Sequence, residues 1–372
     1  MNGRRYILAG GGTSGHVNPA LAIAREIQRE EPEADIRFFG TARGIEHELV
    51  TRAGYAFTAI QARPLPSRLS LDLIKALAAF WNGRQQCRHL LQDLQPHAVI
   101  GTGGYVCSPV VAAAASLKIP VLLHEQNAFP GRSNRLMAKR SQAVCVAFPG
   151  TEKHFHRQVS VTVTGNPVLP AFFGQDRGEI RRKLHPDDER PLILVMGGSL
   201  GARTINQTIL GLDPWIRQRQ QENLPAPRII LAAGSRQYEA VAASGAPHSD
   251  WLEVKEYLYD IHEYYAAADL LICRSGALTC SEIAASGRPS ILIPYPFAAG
   301  DHQTYNAKIL VDAGAALFCP DNQLSAVWLA DRLTELLSDP DQLESMGKQA
   351  LILARPDAAA TIYSRLTEII RS

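Results

Sequence analysis

The chain has 372 residues, 46% of them hydrophobic and 20% charged, with a formal net charge of +2. That length exceeds what one core ordinarily serves and points to two domains; the balanced charge excludes a globally basic nucleic-acid binder, so no nucleic acid is expected as partner. No apolar run reaches the length of a membrane span, and Met1-Asn2-Gly3-Arg4-Arg5 leads straight into a short strand instead of a signal-peptide core, so a cytoplasmic protein is expected.

Tyr6-Ile7-Leu8-Ala9 reads as a buried strand, Gly10-Gly11-Gly12-Thr13-Ser14-Gly15-His16 as a turn, and the next stretch as a helix with Leu21, Ile23, Ala24 and Ile27 on its apolar face. Gly10-x-Gly12-x-x-Gly15 formally matches a dinucleotide fingerprint. The second strand, residues 36–39, ends in Gly40-Thr41, where that fingerprint needs an acidic group for a ribose hydroxyl, so dinucleotide binding is disfavoured. Strand and helix go on alternating through residues 57–60, a helix from about 71 to 94, and a strand at 98–100. Gly101-Thr102-Gly103-Gly104-Tyr105 then repeats the first device, with Ser108-Pro109 expected to open the next helix. Two glycine-rich turns at strand ends of one sheet point to a diphosphate site. His124-Glu125-Gln126-Asn127, polar and in a row after the strand at 121–123, reads as part of a site.

Residues 161–168 and the charged stretch 176–190 read as a linker. Beyond it the design restarts with a strand at 192–196, the turn Gly197-Gly198-Ser199-Leu200-Gly201 and a helix from about Ala202. Strands follow at 228–232, 252–254, 269–273 and 290–294, the last leading to Asp301-His302-Gln303, and helices close the chain at about 325–337, 341–354 and 357–370. The strand at 269–273 passes through Arg274-Ser275-Gly276 toward a helix read at 282–286. Ser275, Thr279 and Glu282 are expected at the ligand-binding edge of the sheet, although Thr279-x-x-Glu282 also reads as a capping box. Cys87, Cys107, Cys145, Cys273, Cys280 and Cys319 lack Cys-x-x-Cys spacing and read as buried reduced thiols; His154-x-His156 reads as solvated histidines without further ligands. The fold class is α/β, with two Rossmann-like halves.

The glycine turns at 10–16, 101–105 and 197–203, with His124-Glu125-Gln126-Asn127, Thr164-Gly165-Asn166-Pro167-Val168 and Arg274-Ser275-Gly276-Ala277-Leu278-Thr279-x-Ser281-Glu282, together resemble the MurG family of bacterial N-acetylglucosaminyltransferases. The likeness runs in order from residue 7 to about residue 307. It implies a GT-B fold: an acceptor- and membrane-side domain at 1–165, a UDP-GlcNAc-binding domain at 166–356, a cleft between them, and a final helix within 357–372 returning to the first domain. It also implies inverting transfer of N-acetylglucosamine from UDP-GlcNAc to undecaprenyl-pyrophosphoryl-MurNAc-pentapeptide (lipid I), forming the β-1,4 bond of lipid II, with no cofactor and no metal. In accord, Asp339-Pro340-Asp341 reads as a helix N-cap and not as a diphosphate-bridging site.

Carried over by the resemblance, Glu282 binds the ribose hydroxyls, the Leu258 backbone the uracil, and Ser199 with the following helix start the donor phosphates. Asn127 and Gln303 hold the sugar, and Thr13, Ser14 and Gly15 close the cleft. Gly103, Gly104, Tyr105, Ala277, Leu278, Thr279 and His302 complete the expected substrate contacts. His16 is the candidate general base, able to accept a proton near neutral pH, unless it only hydrogen-bonds the diphosphate or the loop; Glu125 is the alternative base. Two positions depart from the family pattern: Leu169 stands where an arginine beside the diphosphate is usual, with Arg203, a backbone-only site or an altered donor affinity as the alternatives, and Leu200 where a glutamine is common. A UDP-GlcNAc 2-epimerase, a related GT-B transferase with a different lipid acceptor, and a non-catalytic scaffold are the rival readings.

One further stretch, residues 63–88, mixes Leu65, Leu69, Leu71, Leu73, Ile74, Leu77, Phe80 and Trp81 with Arg63, Arg68, Lys75, Arg84 and Arg88 against the single acid Asp72. In a helix starting near Leu71, positions 73, 74, 77, 80 and 81 form an apolar stripe ending at Arg84. That stripe either packs on the sheet or meets an anionic membrane surface, which would place the protein peripherally on the cytoplasmic face of the membrane.

Overall fold

The computed structural model describes residues 3–64, 71–185, 188–244 and 249–371. Packing divides the chain into two units, Met1–Val168 with Arg355–Ser372, and Leu169–Ala354.

The first unit begins β1 (Arg5–Gly10), α1 (Ser14–Glu30), β2 (Asp35–Gly40), α2 (Ile45–Arg52), β3 (Ala56–Ala59) and α3 (Leu71–Leu94). It continues β4 (Ala98–Gly103), α4 (Gly104–Ser116), β5 (Val121–Glu125), α5 (Arg132–Met137), β6 (Ala143–Val146) and β7 (Val161–Val163). The seven strands are parallel and ordered β3-β2-β1-β4-β5-β6-β7. Side chains alternate along each strand, so both faces need covering, and this is why the strands read as unbroken apolar runs. Tyr6, Leu8, Ile100 and Leu122 pack with Val17, Ile23 and Ile27 of α1 on one face; Ile7, Ala9, Val99 and Leu123 pack with Cys87 and Leu91 of α3 and with α4 on the other.

The second unit holds α6 (Arg177–Leu184), β8 (Leu192–Met196), α7 (Arg203–Leu210), α8 (Asp213–Gln221), β9 (Arg228–Ala232), α9 (Tyr238–Ala242) and β10 (Leu252–Lys255). After these come α10 (Ile261–Ala267), β11 (Leu270–Cys273), α11 (Ala277–Ser286), β12 (Ser290–Leu292), α12 (His302–Asp312), β13 (Ala316–Phe318), α13 (Ala326–Leu337) and α14 (Pro340–Ile352). Its six strands are ordered β10-β9-β8-β11-β12-β13, again parallel. Finally α15 (Ala358–Arg371) lies on the first unit, where Ile362 and Leu366 join the core beside α1 and the Tyr363 hydroxyl donates to Glu31 at 2.8 Å.

In each sheet the strand order reverses once, between β1 and β4 and between β8 and β11. The crevice at such a reversal, beyond the carboxyl ends of the strands, is where open α/β sheets take ligands. Every glycine turn singled out in the sequence leaves one of these four strands.

Several local expectations are corrected. The stretch read as a linker is structured: residues 161–163 are the edge strand β7, and α6 is capped by Asp176, which accepts from the Glu179 N–H at 2.9 Å. Arg177 and Arg181 of α6 pair with Asp269 and Lys183 with Glu263, so its charges anchor the helix. Helix α4 starts at Gly104, not at Ser108, because Gly103 and Gly104 take positive φ (104° and 77°) and turn the strand directly into the helix, leaving Pro109 inside it. Helix α11 likewise starts at Ala277 with Gly276 as its N-cap, so Thr279 and Glu282 are both helical and no capping box forms. The cysteines are all buried and unpaired, and Asp339 is the N-cap of α14, accepting from the Gln342 N–H at 2.9 Å.

The apolar stripe of α3 is split. Ala76, Gly83 and Cys87 face inward with Phe80 partly covered, whereas Ile74, Leu77 and Trp81 are 65%, 46% and 54% exposed. Leu65, Arg68 and Leu69 lie outside the described residues. Among the described residues no helix is long and apolar enough to cross a membrane.

Candidate active site

In the first unit the two glycine turns touch. A Cβ on Gly104 would stand 2.1 Å from the Gly11 carbonyl oxygen, and one on Gly12 would stand 2.9 Å from the Tyr105 ring, so close approach requires glycine at both. Thr13 is the exposed N-cap of α1 but makes no side-chain cap, and Ser14 and Gly15 form the open first turn behind it. The turn thus offers main-chain N–H groups at the positive end of a helix.

Beneath it lies a group the motifs did not reveal. Glu46 is 1% exposed, and its carboxylate accepts from the Gly12 N–H (3.2 Å), the Thr41 N–H (3.0 Å) and the Thr41 hydroxyl (2.6 Å). Burial alone would raise this carboxyl, but the Thr41 and Gly12 donors outweigh it and hold the group below its ordinary range. An ionised side chain therefore occupies the Gly12 donor, a second reason against dinucleotide binding here. Its only sequence signal is an acid two residues past Gly44, at the start of α2.

His16, in the first turn of α1, is partly exposed. Its Nδ1 lies 3.1 Å from the Thr102 carbonyl oxygen, and the Thr102 hydroxyl donates back to the His16 carbonyl at 2.7 Å. Since a carbonyl only accepts, Nδ1 carries the hydrogen and Nε2 presents a lone pair. Glu125 is differently placed. It is 1% exposed; one oxygen accepts from the Asn127 N–H (3.0 Å) and amide (3.2 Å), the other from the Gly131 N–H (3.0 Å) and the Asn134 amide (2.9 Å). With both oxygens engaged, Glu125 holds the loop that carries Asn127, and His16 has the geometry of a base.

In the second unit, β8 ends in a turn packed on the one after β9. A Cβ on Gly201 would fall 2.0 Å from the Ala233 carbonyl oxygen, and the Ser199 carbonyl accepts from the Ser235 N–H at 3.1 Å. Ser199, Leu200 and Arg203 are exposed beside the start of α7, which no side chain caps. Beyond β10, Leu258 is 4% exposed between Tyr257 and Tyr259, which are 52% and 78% exposed with rings 5.1 Å apart. This outward aromatic pair follows from the alternation in Tyr-Leu-Tyr, a signal passed over in the sequence.

After β11, Ser275 does not face the open edge: it is fully buried, its hydroxyl donating to the Gln303 carbonyl at 2.8 Å. This bond ties the start of α12, where the Gln303 side-chain oxygen accepts from the Tyr295 N–H (2.8 Å) and His302 Nδ1 lies 2.8 Å from the Ala299 carbonyl. Ala277, Leu278 and Thr279 form the first turn of α11, and Glu282 follows one turn on. Glu282 is partly buried, with the Tyr265 hydroxyl donating to it across a long 3.4 Å. Burial pushes its carboxyl up to about 7, against the Tyr265 hydrogen bond, which acts in the opposite direction. Among the described residues no group of three or more His, Cys, Asp and Glu is placed to hold a metal ion.

Two doubly wound parallel α/β units, each opening uncapped helix starts at its topological switch point, make up the GT-B architecture. Residues 6–146 match the glycosyltransferase family 28 N-terminal domain and residues 192–362 the glycosyltransferase family 28 C-terminal domain. The UDP-N-acetylglucosamine–N-acetylmuramyl-(pentapeptide) pyrophosphoryl-undecaprenol N-acetylglucosamine transferase of Caldanaerobacter subterraneus subsp. tengcongensis is 41% identical over 98% of this chain and 100% of its own. The crystal structure of Acinetobacter baumannii MurG superposes with a TM-score of 0.78 at 31% identity, covering 98% of this chain and 99% of that one. The chain belongs to this family, the MurG N-acetylglucosamine transferases. A UDP-GlcNAc 2-epimerase from Neisseria meningitidis, at 14% identity, TM-score 0.65 and coverage of 98% and 100%, shares the fold alone.

Proposed function

We propose that this chain transfers N-acetylglucosamine from UDP-GlcNAc to undecaprenyl-pyrophosphoryl-MurNAc-pentapeptide with inversion, making the β-1,4 linkage of lipid II. The observation that carries the reading is 41% identity, over nearly the whole chain, to a relative named as a UDP-N-acetylglucosamine–N-acetylmuramyl-(pentapeptide) pyrophosphoryl-undecaprenol N-acetylglucosamine transferase. The site chemistry supports it. The acceptor hydroxyl loses its proton to His16 Nε2 as its oxygen attacks the anomeric carbon, and the bond from that carbon to the UDP oxygen breaks on the opposite face. Charge developing on the departing diphosphate is met by the uncapped N–H groups at the start of α7 beside Ser199. Glu282 accepts from the ribose hydroxyls, the Leu258 backbone holds the uracil, and Asn127 and Gln303 hold the sugar.

Incubation with UDP-GlcNAc and a lipid I analogue tests this. Formation of the disaccharide lipid with release of UDP is expected; consumption of UDP-GlcNAc without acceptor would support the epimerase, and binding without turnover would leave only a scaffold.

Leu169 is 44% exposed, so a longer side chain fits there without repacking a core. Leu169→Arg is expected to tighten UDP binding by roughly 1 kcal/mol, because a guanidinium beside a diphosphate makes charge-assisted bonds, and the gain should fade with salt. An affinity that stays flat in low-salt calorimetry removes the position from the phosphate site.

The membrane contact is proposed at α3, on the cytoplasmic face. Ile74, Leu77 and Trp81 point outward, and Arg84 stacks over the Trp81 ring at 5.2 Å, an arrangement suited to a headgroup boundary. Replacing Ile74, Trp81, Lys75 and Arg84 together by serine or glutamine is expected to lower binding to anionic vesicles by about ten-fold or more, each cation near the surface being worth about 1 kcal/mol. UDP binding should be spared. Unchanged co-sedimentation of the folded variant at low salt would rule α3 out.

A further inference from the structure

A hydrogen-bond chain of fixed polarity runs through the first unit to His16. Buried His124 places Nε2 3.1 Å from the Gly165 carbonyl oxygen, and the Gln126 amide nitrogen lies 3.0 Å from His124 Nδ1 and 3.0 Å from the His124 carbonyl. Gln126 Oε1 in turn lies 3.0 Å from His16 Nδ1, the atom that also faces the Thr102 carbonyl. Three main-chain carbonyls, which can only accept, dictate where every proton sits. Gly165 requires the His124 hydrogen on Nε2, so His124 Nδ1 must accept. His124 Nδ1 and the His124 carbonyl then both face the Gln126 amide hydrogens, which turns Oε1 toward His16. Thr102 independently places a hydrogen on His16 Nδ1, and the assignments agree. Burial lowers His124 to about 4, so it stays neutral at ordinary pH and cannot reverse the chain.

We propose that Gln126, clamped by His124, is a positioning residue for His16: together with the Thr102 carbonyl it holds the ring in the tautomer with a bare Nε2, and it gives Nδ1–H a second acceptor as the imidazole takes up the acceptor's proton. The proposal deepens, and rests on, the reading of His16 as the base. His124 and Gln126 are 0% and 1% exposed, so neither binds substrate from the surface, yet the Gln126 oxygen is spent on the candidate base and not on the loop. A proton arriving at Nε2 spreads positive charge to Nδ1, where two carbonyl oxygens receive it. Titratable groups on the elements around His16 include the buried Glu46 of α2, Tyr105 of α4, and the buried His124 and Glu125 of β5. Arg132 and Arg135 of α5 are exposed, Arg135 over the Phe129 ring, and α15 meets α1 at its far end, where Tyr363 reaches Glu31. Among the described residues no carboxylate hydrogen-bonds the His16 ring, so Gln126 holds the place an acid takes in a catalytic triad.

Full-length protein carrying 15N-labelled histidine allows the His16 tautomer to be read by long-range proton–nitrogen NMR, with or without turnover. The wild type is expected to show a protonated Nδ1 and a bare Nε2. In Gln126→Leu, with the Thr102 carbonyl left as the one remaining acceptor of Nδ1–H, the share of the other His16 tautomer should rise above its wild-type level, and kcat should fall by about ten-fold or more with the KM for UDP-GlcNAc held within about two-fold. His124→Phe should show the same pattern, and His124→Gln, which supplies both a donor for Gly165 and an acceptor for Gln126, should restore it. A single unchanged tautomer with unchanged kcat in folded Gln126→Leu overturns the proposal. Wild-type kcat in His16→Gln would instead overturn the base reading, an outcome the tautomer measurement does not share.

Discussion

Replacing His16 by glutamine is expected to lower kcat by roughly 10²–10⁴-fold, the contribution a positioned general base makes, with the KM for UDP-GlcNAc changed by less than about two-fold. The split follows from the geometry. The ring's Nδ1–H is committed to Thr102 and Gln126, so Nε2 alone is available, and a group acting only on the acceptor's proton contributes in the transition state more than in the donor complex. Glutamine preserves polarity and approximate size but cannot take a proton at neutral pH. Steady-state kinetics with a soluble lipid I analogue provide the measurement. A kcat within a few-fold of wild type would pass the base role elsewhere; Glu125, with both carboxylate oxygens engaged, is poorly placed to inherit it.

The second large effect concerns Glu282 and carries a sign in pH. Glu282→Ala is expected to weaken UDP-GlcNAc binding by roughly 1.5–3 kcal/mol, the value of hydrogen bonds to a charged group. In the free protein desolvation pushes the partly buried carboxyl up to about 7, so lowering the pH below that value protonates it. Ribose hydroxyls donate best to the carboxylate, which lowers the group's pKa in the complex and couples binding to proton release. Affinity should therefore be full above about pH 7 and fall as pH drops below it, by up to ten-fold per unit. UDP-GlcNAc itself carries no group titrating in that window. Calorimetry at about pH 6 and about pH 8, in buffers of different ionisation enthalpy, reads both the affinity and the proton count. Glu282→Gln should bind weakly at both and release no proton. If wild-type affinity is the same at the two values, Glu282 does not meet the ribose as a carboxylate.

What the sequence determined by itself is the architecture and the addresses of the site. Short unbroken apolar runs that end in glycine turns, such as Leu192–Met196, read as strands covered on both faces, and their alternation with amphipathic stretches points to parallel sheets with crossover helices. Glycine turns after β1, β4 and β8 declare themselves locally, because backbone at positive φ or in near contact excludes a Cβ; Gly201 and Gly104 show both reasons. Tertiary structure alone decided how the polar atoms are shared among those addresses. Four adjacent residues, His124 to Asn127, look equally functional as letters, yet Gln126 bonds the His16 ring and His124, Glu125 holds a loop, and only Asn127 keeps some exposure. Ser275 is consumed by α12, Glu46 fills the Gly12 donor, and Tyr265 sets the surroundings of Glu282. Ile74 and Trp81 face outward where periodicity alone left them free to face the sheet. The physical reason is range. Strand, helix and turn preferences act over a few residues, whereas the partners of His16 lie 86 and 110 positions away, and a hydrogen bond at that separation exists only once the sheet has brought its strand ends together.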